Sequence, residues 1–231
     1  MTARKMKVKV TKKKLKTKKI LITLLVFLAI IASVNYLLKL PIKNIYITGN
    51  SFVPDKEILS LTKLDKYPSF LKTYFVDYTQ PLKKNKYIQN VKITRKFFGK
   101  LYLHFEEKQP LFIYNNKIVL STGEQTENKY NIDYIPYIKN NVDDMLKELV
   151  IAYQKLNNDV TYKISEIEYV PNEIDKKRFL LTMTDANYVY ITLPKIEKLN
   201  KYNSIVSELQ NKKGIIYLDS GDYIEIKDWH K

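Results

Sequence analysis

The chain has 231 residues, enough for one or two small domains, and its 40 Lys and Arg against 24 Asp and Glu give a formal net charge of +16. Ten of those basic residues stand within residues 1–19 beside no acid, so the remainder is only mildly basic and the charge does not mark a nucleic-acid binder. The absence of Cys excludes disulfide scaffolds, thiol catalysis and cysteine zinc sites, His104 and His230 fit no zinc spacing, and no Gly-rich phosphate loop or GxSxG elbow occurs, so no cofactor or metal is expected.

Residues 20–38 are apolar and uncharged. As a helix at about 1.5 Å per residue they span roughly 28 Å, close to the ~30 Å hydrocarbon core of a bilayer. A backbone in lipid must satisfy its own hydrogen bonds, which makes this run a predicted transmembrane helix. The basic tail 1–19 puts the N-terminus in the cytoplasm and residues 39–231 outside, a single-pass type II arrangement. The alternative is a signal peptide cleaved after Ala32, although the apolar run exceeds the ~7–15 residues of an h-region.

Pro41 ends the helix. An extended segment with Ile42, Ile45 and Ile47 runs to a turn at Gly49-Asn50. Pro54, Asp55 and Glu57 suit a helix start, and Ile58, Leu61 and Leu64 keep helical spacing. A weaker second helix is predicted over 75–90, with Pro81 at its start or kinking it. Strands follow around Ile88, Val91 and Ile93 and over 101–106, where Leu101, Leu103 and Phe105 alternate with polar neighbours. His104 falls on the wet face. Phe97-Phe98-Gly99 reads as a hairpin connection with core anchors. Pro110 marks a boundary.

Beyond it, Asn115-Asn116 signals a hairpin between 111–114 and 118–120. Residues 121–134 read as polar loop. Helices are predicted over 143–157 and 196–212, and strands over 164–170, 179–184, 188–193 and 214–219. A further short strand is expected over 223–226. Asp143-Asp144 reads as a helix start and Asp219-Ser220-Gly221-Asp222 as a turn.

The organisation resembles the FtsQ/DivIB cell-division family over most of the chain. Ile45-Tyr46-Ile47-Thr48-Gly49-Asn50 with Val53-Pro54-Asp55-Lys56-Glu57-Ile58 resembles the opening of a POTRA module. Val91-Lys92-Ile93-Thr94-Arg95, and Leu101 through Glu107-Lys108-Gln109-Pro110, resemble its closing hairpin and exit. Ile135-Pro136-Tyr137-Ile138 and Gly214 through Asp219 resemble segments of the family's second domain. The departures are Phe97-Phe98-Gly99, where a proline is usual, and Ser220, where Arg often follows the Asp.

The expected fold is α+β: a transmembrane helix, a POTRA-like β-α-α-β-β module, then a second mixed-sheet β domain with helices on one face. The expected division is 1–19 cytoplasmic tail, 20–38 transmembrane helix, 39–109 POTRA-like domain, 110–222 β domain and 223–231 C-terminal segment. The resemblance implies a non-enzymatic divisome scaffold at the septum. It would bind DivIC/FtsB-like and FtsL-like single-span proteins, with the septal transpeptidase as a further candidate partner, and help couple them to peptidoglycan synthesis. An exposed edge strand can be extended by a partner's strand. The most C-terminal strands are the best candidates for that edge, and the resemblance implies that this region contacts the DivIC/FtsB-like partner, so Ile215, Tyr217, Tyr223, Ile224, Ile226 and Trp229 are the candidate partner-binding residues. The strand edge at 45–48 is a second candidate. A membrane-anchored wall-binding protein or cell-wall enzyme is the rival reading.

Overall fold

The computed structural model describes residues 16–210 and 212–227. It begins with α1 (Thr17–Lys39), a 23-residue helix with no buried side chain, long and apolar enough to cross a membrane. Its polar side chains are satisfied within the helix: Thr23 and Ser33 hydroxyls donate to the carbonyls of Lys19 and Ala29 at 2.9 and 2.8 Å, and the Asn35 amide donates to Ile31 O at 3.0 Å. These three donors are thus paired inside the apolar run. Leu40 turns extended, and Pro41 has no N–H with which to continue the helix. Most of the basic tail, residues 1–15, lies outside the described residues.

A three-stranded sheet follows, from β1 (Asn44–Thr48), β2 (Ile88–Lys96) and β3 (Lys100–Glu107) in the order β1-β3-β2, with β1 parallel and β2 antiparallel to the central strand. The alternating Leu101, Leu103 and Phe105 are buried, and α2 (Asp55–Thr62) lays Ile58 among them. Asp55 and Glu57 stand in the first turn of α2, where the helix dipole favours acids.

The second helix predicted over 75–90 is not an α-helix. Only one short 3-10 turn, Leu82–Lys84, forms within it, after two earlier ones at Leu64–Lys66 and Phe70–Tyr74. Pro68 and Pro81 interrupt any longer ladder, and Ile88 is drawn into β2. Tyr78 and Leu82 still fill the space over the sheet. The hairpin residues Phe97 and Phe98 are not core anchors either: they are 89% and 83% exposed.

The second sheet has nine strands. In chain order come β4 (Pro110–Tyr114), β5 (Lys117–Leu120), β6 (Gln125–Glu127) and β7 (Tyr137–Ile138), then helices α3 (Leu146–Tyr153) and α4 (Asn158–Thr161). Next come β8 (Ile164–Tyr169), β9 (Arg178–Met183), β10 (Tyr188–Thr192), a 3-10 stretch Leu193–Lys201, α5 (Tyr202–Glu208), β11 (Gly214–Tyr217) and β12 (Tyr223–Ile226). The spatial order is β12-β11-β10-β9-β8-β7-β4-β5-β6. Asn115 and Asn116 take positive φ of 49° and 60°, as a two-residue hairpin requires. The helices expected over 143–157 and 196–212 are shorter, and two strands were not expected. These are β6, inside the polar stretch, and the two-residue β7, which joins β4 and β8 in parallel.

Two hydrophobic cores meet across β4 and β5. Phe112, Tyr114 and Val119 enter the large core under α3 and α5, with Tyr153, Phe179, Val189, Tyr202 and Ile216. Ile113, Ile118 and Leu120 point the other way, into the core of the first sheet. The β4–β5 hairpin is thus buried on both faces, which is why its sequence is continuously apolar rather than alternating.

Candidate functional site

Among the described residues the large sheet ends on β12, which pairs there only with β11. The register sets Gly214 opposite Ile226, Ile215 opposite Glu225, Ile216 opposite Ile224 and Tyr217 opposite Tyr223. Lys227 N–H donates to Lys213 O at 3.0 Å, so the hydrogen-bonded pairs fall on odd-numbered residues. The main-chain groups of Ile224 and Ile226 therefore point away from β11, toward the open side of the edge.

Side chains alternate across this edge. Ile216 is buried in the large core and Ile224 packs partly against it, while Ile226, on the same face, is 49% exposed past the core's end. On the other face lies a ladder of rings. Tyr190 stacks on Tyr217 at 5.2 Å and Tyr217 on Tyr223 at 4.5 Å, with ring planes within 19° and 13° of parallel. The Arg178 guanidinium caps the ladder 3.9 Å above the Tyr190 ring. Tyr223, at the outer end, is 52% exposed. Four neighbouring strands thus present one continuous flat surface that runs to the sheet edge.

Arg178 also donates from Nε to Asp219 Oδ2 at 2.6 Å, both side chains being largely buried. Burial alone would raise the Asp219 carboxyl; the hydrogen bond and charge of Arg178 outweigh it and hold it below the usual carboxylate range. Asp219 stands two residues past the end of β11, and the Lys195 ammonium donates to its carbonyl. Lys198 binds Asp222 at 2.6 Å. The turn leading into β12 is thereby tied down at both ends.

Gly214 shows how closely the two last strands approach. A Cβ there would lie 2.5 Å from Glu225 O, while the Gly214 N–H donates to Asn187 Oδ1 at 2.9 Å. Gly214→Ala is expected to push β12 outward and to lower stability by about 1–2 kcal/mol. The check is a thermal melt, in which an unchanged midpoint would count against this packing.

The structure brings Ile215, Tyr217, Tyr223, Ile224 and Ile226 together on β11 and β12, the first three on the ladder face and the last two on the core face. Trp229 lies outside the described residues. Arg178, Tyr190 and Asp219 belong to the same surface and were not among the sequence candidates. A signal for Arg178 was present: only three of the 40 basic residues are Arg, and a guanidinium can stack and bond in a plane where an ammonium cannot. The second candidate edge, 45–48, is the outer strand β1 of the small sheet, with Tyr46 stacked on Tyr102 at 4.6 Å.

A cleft of about 430 Å³ between the lobes, lined by Glu107, Gln109, Tyr134 and Tyr162, contains one carboxylate. Both oxygens of Glu107 are already taken by backbone N–H groups of Ser51, Phe52 and Val53, so that group is occupied as a structural acceptor. Among the described residues no three His, Asp or Glu converge as metal ligands.

Comparison with known proteins gives a consistent picture. A family model for the POTRA domain, FtsQ-type, matches residues 40–108, and one for the cell division protein FtsQ/DivIB C-terminal region matches residues 112–222. The chain is 27% identical to cell division protein DivIB of Bacillus subtilis (strain 168), over 95% of this chain and 88% of that one. It is 26% identical to DivIB of Brevibacillus brevis, over 77% and 71%. Among solved structures, the major extracytoplasmic domain of DivIB from Geobacillus stearothermophilus, in its trans isomer, is 20% identical. It covers 46% of this chain and 96% of that one with a TM-score of 0.39.

Proposed function

This chain belongs to the FtsQ/DivIB cell-division family, and we propose on that premise that it is a non-enzymatic bitopic scaffold that captures a partner strand on β12. The basic tail faces the cytoplasm, α1 spans the membrane, and the two sheets stand outside at the septum. The partners are single-span division proteins of the FtsL and DivIC/FtsB kind, which the scaffold helps couple to septal peptidoglycan synthesis. The observation that carries the reading is the open edge of β12, whose outward main-chain groups at Ile224 and Ile226 can bond an added strand. The tyrosine ladder and Ile226 supply side-chain contacts beside that strand, with Tyr223 as an aromatic anchor at the rim.

The test is co-purification of the FtsL/DivIC-type partners with full-length chain carrying Tyr223→Asp or Ile226→Asp. Each change is expected to weaken capture by about tenfold or more, since it sets a charge in the desolvated contact. Circular dichroism and melting should stay near wild type, because neither side chain is buried in the free protein. Undiminished capture by both variants refutes the site. A wall-binding role instead predicts sedimentation with purified wall material that falls with salt and ignores both substitutions.

A further inference from the structure

We propose that the end of the small sheet next to α1 is a lipid-contacting collar, in which the Phe97-Phe98 hairpin tip and the Tyr74-Phe75 segment sit in the interface of an anionic bilayer. The proposal rests on α1 crossing that bilayer, and it concerns a different sheet from the one that ends on β12.

Chain connectivity places the tip there. Lys100 of β3 pairs in parallel with Asn44 of β1, five residues after the last residue of α1. Five extended residues reach at most about 17 Å. Gly99 O accepts from the N–H groups of Lys43 and Asn44 at 2.8 and 3.3 Å, which pins the tip to the chain as it leaves the helix. The second segment is pinned too: Phe70 N–H donates to Leu40 O at 2.8 Å and Ile42 N–H to Pro68 O at 3.0 Å. Arg95 joins the two, bonding Thr73 Oγ1 at 3.1 Å and lying 5.1 Å over the Tyr74 ring. Hairpin and segment form one surface around the helix end.

Its composition suits a headgroup layer. Phe75, Phe97 and Phe98 are each more than four-fifths exposed, yet they are large aromatics. The segments 39–43, 66–76 and 95–100 hold seven Lys or Arg and no acid. Aromatic rings beside cations are the side chains that partition to an anionic interface. A comparison within the molecule sharpens this. Tight hairpins need positive φ, and those away from α1 supply it with Asn115-Asn116 and with the small Ala186. The one beside α1 puts Phe98 at φ 66°, where a bulky side chain is strained and exposed in the free body.

The test uses the full chain with Trp229→Phe, which removes its one Trp, reconstituted into phosphatidylglycerol/phosphatidylcholine vesicles with brominated acyl chains. Phe98→Trp is expected to be quenched about twofold or more, with blue-shifted emission. Ile174→Trp, in the other lobe, should show neither effect. Phe27→Trp, inside α1, reports the anchor. If Phe27→Trp is quenched while Phe98→Trp behaves like Ile174→Trp, the collar is refuted and the anchor stands; a collar reserved for a protein partner gives this same result. If Phe27→Trp is not quenched, the anchor itself fails and takes the collar with it. Equal quenching of Phe98→Trp in pure phosphatidylcholine overturns the role given to the basic residues.

Discussion

Arg178→Ala is expected to cost about 3–5 kcal/mol of folding stability, toward the lower end because the guanidinium keeps some contact with water. The loss has two parts. Asp219 is left buried without its counter-charge, and the tyrosine ladder loses the cation that caps it at 3.9 Å. Urea denaturation of the full chain in detergent measures it. The double variant Arg178→Met with Asp219→Leu should recover most of the loss, since apolar side chains of similar volume remove both charges together. A single variant as stable as wild type would show that the ion pair is idle.

The same pair sets a pH dependence whose sign follows from the depressed Asp219 carboxyl. A carboxyl held below its ordinary value stabilises the fold while it is ionised. That contribution is fully present above the ordinary value of 3.8 and is lost as pH falls from there through the lower folded value. The stability gap between wild type and Asp219→Asn should therefore be constant near neutrality and close only in that acid window. Because Asp219 begins the turn into β12, both single variants should also weaken partner capture without touching a residue at the edge.

Much of this architecture was legible in the residues, for identifiable reasons. Strong alternation marked Leu101, Leu103 and Phe105, and the bounds of β12 were read correctly from a four-residue apolar-polar pattern. Asn115-Asn116 announced its hairpin because few other residues accept two positive φ angles in succession. What escaped were features set by distant neighbours. The two-residue β7 exists because β4 and β8 flank it, and it has too few residues for any periodicity. The predicted second helix failed because an irregular turn at Tyr78 and a 3-10 turn at Leu82 bury both side chains without a long helical ladder across Pro81. Phe97 and Phe98 looked like core because hydrophobicity does not say whether the apolar medium is protein or lipid. Five of the six candidate residues fall on the last two strands, as their position at the end of the chain suggested, but Arg178 and Asp219, 41 positions apart, were joined only by the fold.

The interlocked cores also decide how the first lobe should be probed. Removing residues 42–107 would strip cover from Ile113, Ile118 and Leu120, which belong to β4 and β5, so a point change is the cleaner tool. Glu107 is that point. Its carboxylate, at the end of β3, accepts from Ser51 and Phe52 at 2.7 and 2.8 Å and from Val53 at 2.9 Å. Val53 is almost fully buried, so this loop cannot simply turn its amides to water. Glu107→Ala is expected to lower stability by about 3 kcal/mol, the cost of losing several charge-assisted bonds in a partly buried loop. Glu107→Gln keeps one acceptor oxygen and should lose roughly half as much. Amide exchange of residues 51–53 should speed up in both variants, in that order, while the β11–β12 pairing keeps its protection because it packs on the other core. If exchange at 51–53 is unchanged in Glu107→Ala, the carboxylate is not what holds the loop. If β12 loosens equally, the two lobes unfold as one unit and the edge cannot be tuned independently of the collar end.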